Sequence, residues 1–142
     1  MSLDLDRIHQ AVATAVRAAV GDEFTVHAYP GEGGTGPYIE IAPGAPYVAY
    51  FATMGTNGRA DVNVTVRGFP MTGNAETAFR RVVAYLASGT DFPRSIVDAL
   101  MADKSLGGVV ESCVALTAEW VADEELFEIP VEIIALKSGG AA

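Results

Sequence analysis

VVESCVALTAEWVADEELFEIPVEIIAL, residues 109–136, is dense in β-branched and aromatic residues and carries an acidic break near its middle. Residues 109–122 and 125–136 read as two long strands joined at Asp123-Glu124, a long C-terminal β-hairpin. Val114, Leu116 and Trp120 share one parity of the first strand, and Phe127, Ile129, Val131 and Ile133 share one parity of the second. Pro130 has no N–H to give a ladder, so it places the final strand at a sheet edge or marks a bulge there. Beyond the hairpin, residues 138–142 form a small-residue tail expected to be disordered.

Working back from the hairpin, Leu106-Gly107-Gly108 ends a short helix that starts near Pro93, stops near Asp103 and turns Ile96, Ala99 and Leu100 inward. Before it, a helix runs from about 74 to 87 with Asn74 as its cap and Ala75, Ala78, Phe79, Val82, Val83 and Leu86 as its buried stripe. Arg80 and Arg81 point away from that stripe. Val62, Val64 and Val66 alternate with polar residues in a half-exposed strand, so one face of the sheet is wet or meets a partner. Residues 54–58 are a turn, and residues 38–42 and 46–53 read as a hairpin about Pro43-Gly44-Ala45.

At the front, apolar residues recur three and four apart over residues 4–20, with Arg7, Gln10 and Arg17 opposite, which predicts an amphipathic helix stopped by Gly21. Residues 23–29 suit a strand. The segment 30–37, PGEGGTGP, is a mobile surface loop in which Gly31, Gly33, Gly34 and Gly36 are candidates for partner contact. These elements predict an α+β fold: a mixed or antiparallel sheet with the N-terminal helix and two further helices packed on one face, in a single domain over residues 1–137.

Composition limits the function. Half of the 142 residues are hydrophobic, and the mean hydropathy of +0.27 is high for a small domain, which suggests apolar surface held against neighbours. The first six residues carry acids where a secretory leader is basic and apolar, and no apolar run approaches the length of a membrane span, so no membrane association is expected. With 18 acidic against 9 basic residues the formal charge is −9, which opposes adhesion to nucleic acid. Cys113 is the sole cysteine, which removes intramolecular disulfides and fits a reducing compartment.

No motif carries chemistry. Residues 31–36 satisfy G-x-G-x-x-G literally, yet Pro37 and a strand follow where a phosphate site needs a helix N-terminus. His9 and His27 have no metal-ligand spacing, and Ser88, Ser95, Ser105 and Ser112 have no nucleophile-elbow setting. Asp123, Glu124, Glu125, Glu128 and Glu132 make the hairpin acidic, but Glu128 and Glu132 alternate away from the apolar parity, as on a solvated strand face. No catalytic residue, cofactor or metal is expected. Arg80, Arg81, Trp120, Phe127 and Pro130 are candidates for subunit contacts, Trp120 and Phe127 for either the sheet or an interface.

Residues 93–100, PRSIVDAL, followed by 103–110, DKSLGGVV, and the closing hairpin resemble the tail terminator proteins of long-tailed bacteriophages, particularly those of actinobacterial hosts. The opening helix, from Asp6-Arg7-Ile8 to Ala19, looks like that family's start. The glycine-rich loop and Pro43-Gly44-Ala45-Pro46 have no counterpart in it, so no loop role carries over. The resemblance implies a non-enzymatic virion protein, assembled in the host cytoplasm and placed at the head–tail junction. It implies a hexameric homo-oligomer ring that ends growth of the tail tube and docks the head-connector proteins, with DNA passing through its lumen unbound. Three other readings remain: another neck, tail-completion or tube-like ring protein; a small-molecule-binding domain using the glycine-rich loop; and an acid–base enzyme using Glu128 and Glu132.

Overall fold

The 3.6-residue apolar period at the front becomes α1, Leu5–Val20, in the computed structural model, which describes residues 3–31, 33–50, 60–89 and 94–136. Asp4 caps the helix by accepting the Arg7 N–H at 3.0 Å, a contact typically worth about 1 kcal/mol. Gly21 stops it at φ 60°, with its N–H on the Arg17 carbonyl. Ile8, Val12, Val16, Ala19 and Val20 are buried as the periodicity requires, and His9 and Ala13 complete the buried face.

The strands that follow are β1, Thr25–His27; β2, Tyr38–Tyr50; β3, Ala60–Phe69; β4, Ser112–Val114; β5, Glu119–Val121; and β6, Leu126–Leu136. Between β3 and β4 come α2, Ala75–Leu86, and α3, Ile96–Ala102. The sheet runs β1-β2-β3-β6-β4, with β5 also beside β6. Among the described residues only β1 and β2 pair in parallel, so the sheet is mixed and the class is α+β. Residues paired across strands share a face. Ile41, Val66 and Ile129 form one such buried row, and all three helices pack their buried residues into this same core. Among the described residues the opposite face carries no helix, and β3 alternates strictly between buried and half-buried residues. Among the described residues no helix is long and apolar enough to cross a membrane.

Several expectations change. Residues 38–42 and 46–50 are not the arms of a hairpin but one strand, because β2 keeps its direction through Pro43-Gly44-Ala45 and only its register on β3 shifts, between Pro43 and Val48. Asn63 Nδ2 donates to the Pro46 carbonyl at 2.9 Å and holds this bulge, where the missing proline N–H groups cost little. The strand expected over 23–29 contracts to β1. The short helix begins at Ile96, where Ser95 accepts the Asp98 N–H at 3.1 Å as its cap, rather than near Pro93. Pro93, residues 51–53 of the strand expected over 46–53, the turn at 54–58 and the tail at 138–142 lie outside the described residues.

The buried stripe of α2 is rotated from the expected one. Ala78, Val82 and Tyr85 are buried, while Phe79 and Val83 are 45% and 46% exposed. Tyr85 explains the rotation: its ring meets Phe24 edge-on with centroids 5.2 Å apart, and its hydroxyl donates to Glu23. Burial, then that bond, push the Tyr85 hydroxyl up to about 12.

The C-terminal hairpin is present with its first arm broken into β4 and β5. Val114 faces Glu132 and Glu119 faces Glu128, so residues 115–118 oppose only 129–131. That single extra residue reverses side-chain parity. Val114 and Trp120, expected on one parity, therefore lie on opposite faces: Val114 beside Glu132 on the helix-free face, Trp120 beside buried Phe127 on the core face. Pro130 does not make β6 an edge strand, since β3 flanks one side of it and β4 and β5 the other. Pro130 stands where the outer ladder is interrupted, at the one β6 position that cannot donate to it.

Candidate assembly surfaces

The helix-free face of the sheet is organised around Arg67. Registers across five strands align His27, Glu40, Arg67, Glu128 and Glu119 in one row. Arg67 Nη1 lies 3.4 Å from Glu40 Oε2, and its Nε lies 3.8 Å from Glu128 Oε2. Its guanidinium also sits 5.6 Å from the centroid of Phe69, which stacks on Tyr38. Glu40 is only 6% exposed, so Arg67 compensates a carboxylate withdrawn from water. Farther along, Asp61, Asn63, Ser112 and Glu132 border a cleft of about 360 Å³. The face as a whole is acidic.

The glycine-rich loop folds back onto this face beside β1. His27 Nε2 lies 2.9 Å from the Gly33 carbonyl, and the Gly31 N–H approaches Glu40 Oε1 at 3.5 Å. Gly31 and Gly33 use φ values of 99° and 62° to make the path. The loop delivers the chain through Gly34 and Gly36 into β2 rather than into a helix, so it offers no helix N-terminus to a phosphate.

A second surface is the outer side of α2. Phe79 and Val83 form an exposed ridge one turn apart, and Phe79 packs against the half-buried Trp120 with ring centroids 5.5 Å apart. Arg80 is exposed beside the ridge, and Arg81 is exposed on the opposite flank of the helix. Arg80 pairs with Glu76 at 2.9 Å, and Arg81 donates to the Pro70 carbonyl at 3.1 Å. Of the residues expected to form subunit contacts, Arg80, Arg81, Trp120 and Pro130 thus reach the surface. Phe127 does not: it is 0% exposed, lies in the core beside Phe24 and supports the sheet.

A third surface forms at the break between β4 and β5. Leu116, 78% exposed, lines a shallow cleft with Val114, Thr117, Pro130 and Glu132. Glu119 is exposed at the start of β5, so the apolar patch has an acidic rim. Periodicity did not find this patch, because it depends on the parity reversal.

His9, Ser88, Ser95 and Ser105 are tied into the fold. His9 is buried, with Nδ1 at 2.7 Å from the Ala28 carbonyl and Nε2 at 2.6 Å from the Tyr47 hydroxyl. A carbonyl only accepts, so the proton sits on Nδ1 and Tyr47 donates to Nε2. Ser88 bonds Asp98, Ser105 bonds Asp103 and Ser95 caps α3. Among the described residues no three His, Cys, Asp or Glu side chains are placed to hold a metal ion. The chain matches no protein-family model and no curated protein.

Proposed function

We propose that this chain is a structural subunit of a phage tail, a tail terminator that closes the tube as a hexameric ring and presents the docking surface for the head connector. Its place would be the virion, at the head–tail junction, and its role would involve no catalysis. The observation that carries the reading is the one-sided sheet. Helices cover one face, and the other presents Glu119, Glu128, Glu132 and Asp61 beside the Glu40–Arg67 ion pair. An acidic, helix-free face suits a surface past which DNA moves without adhering, since it repels phosphate at short range. The exposed apolar ridge and patch supply what a subunit buries against its neighbours. The sequence resemblance over residues 93–110 and the closing hairpin points the same way.

The test is the solution mass across a concentration range at two salt concentrations, followed by addition of polymerising tail-tube protein. A six-chain ring that shortens or caps tubes supports the proposal. A chain that remains monomeric and leaves tube lengths unchanged overturns it.

A further inference from the structure

The two edges of the sheet are treated differently. At and just beyond β1, side chains of α1 occupy the backbone: Arg17 Nη2 donates to the Val26 carbonyl at 3.0 Å, and His9 Nδ1 donates to the Ala28 carbonyl at 2.7 Å. At the other edge, β4 and β5 pair with β6 on one side and, among the described residues, with no strand on the other. Between them, residues 115–118 make no backbone hydrogen bond among the described residues, and Leu116, Thr117 and Ala118 are exposed. An open edge offers its N–H and carbonyl groups to a further strand. A cleft of about 180 Å³ lies at its centre, where Leu116, Val114 and Pro130 can seat one apolar side chain.

Charge selects the kind of strand. No lysine or arginine occurs between Lys104 and Lys137, whereas Glu111 precedes β4 and Asp123, Glu124 and Glu125 follow β5. None of these four carboxylates pairs with a cation among the described residues. The same edge of a second copy would add four more acids, and like charges on paired strands repel.

We propose that this edge receives, as an added strand, an extended segment of a different polypeptide that is apolar at its centre and carries lysine or arginine at both ends. The backbone ladder supplies the affinity, the cleft at Leu116 takes one side chain, and the terminal cations meet Glu111 and the acids at 123–125. An added strand lies in the plane of the sheet, so the helix-free face stays open. The assignment makes the neighbour at this patch a different chain, and it stands whether or not that chain is a tail protein.

The experiment uses the full chain and synthetic peptides of alternating valine and threonine, with blocked ends and long enough to span residues 112–121 at about 3.3 Å per residue. One peptide has two lysines at each end, a second has glutamates there instead, and a third has the lysines but a proline in place of the central valine. Binding is titrated by calorimetry, and amide hydrogen exchange is read residue by residue by NMR. The lysine peptide should bind and slow exchange of amides within 115–118. The glutamate peptide should bind at least about tenfold more weakly, and the proline peptide, short of one ladder donor, should lose most of the affinity. Leu116→Asp should weaken the lysine peptide by about tenfold; Leu116 is 78% exposed, so the variant should fold, as a thermal melt checks. Binding that leaves exchange at 115–118 unchanged would reduce the contact to adhesion by charge and overturn the added strand. Equal binding of the glutamate peptide, or no binding of the lysine peptide, overturns the cationic segment. Self-association of the free chain that slows the same amides gives the edge to a second copy and overturns the different partner. A failure in any of these arms leaves the tube-capping test of the tail reading untouched.

Discussion

The ring of Phe127 lies on the backbone of Gly68: a Cβ added to Gly68 would come within 2.1 Å of Phe127 Cε1. The two residues face each other across β3 and β6, and Phe127 fills the space that any side chain at position 68 would need. Gly68→Ala should destabilise the fold by about 1–3 kcal/mol through overpacking, measured by urea unfolding. Phe127→Leu introduced into that variant should return part of the loss. A Gly68→Ala protein as stable as wild type would refute the contact.

The bond between Tyr47 and His9 joins the bulged part of β2 to α1. Tyr47→Phe leaves Nε2 of a buried imidazole without a donor and should cost about 1–3 kcal/mol. Tyr50→Phe is the control, since Tyr50 is 64% exposed, and should leave the unfolding midpoint unchanged. Equal behaviour of the two variants would remove the network from the account of stability.

Arg67 divides its neighbours unequally. Glu40 is withdrawn from water, but Glu128 is one-third exposed and its oxygen is 3.8 Å away. Arg67→Met should therefore cost about 3 kcal/mol, as breaking a buried pair does, while Glu128→Gln should cost under about 1 kcal/mol. Chemical denaturation of both variants measures the asymmetry, and similar losses would contradict it.

Asp98 fastens the end of α2 to α3, accepting from the Gly89 N–H and the Ser88 hydroxyl, each at 2.7 Å. The Gly89 N–H first, then Ser88, hold its carboxyl below the ordinary value of 3.8. Its charged form is favoured in the folded state, so its contribution is complete above pH 3.8 and is lost as pH falls through the lower folded value. Asp98→Asn should abolish that part of the acid dependence, so the stability gap between wild type and variant narrows on acidification. A gap that stays constant down to pH 2 would dismiss Asp98 as a source of it.

These substitutions test the scaffold that presents the exposed surfaces.

The sequence by itself determined the elements whose signals are local. The 3.6-residue period placed α1, Asn74 and its following stripe located α2, and the alternation of Val62, Val64 and Val66 with polar residues marked β3 as half-exposed, because each pattern is a property of one segment's own geometry. Arg80 and Arg81 were legible as lying off the buried stripe for the same reason. Tertiary structure alone decided how these segments meet. The turn signal at Pro43-Gly44-Ala45 became a bulge because β3 was available to pair with β2 on both sides of it. Tyr85 took the inner position on α2 because Phe24 and Glu23 lay beneath it, which turned Phe79 and Val83 outward. One unmatched residue in 115–118 reversed parity along the outer arm, which sent Trp120 to the core face and left Val114 and Leu116 outside it. Register is a relation between strands, and a strand's own alternation is the same in either register.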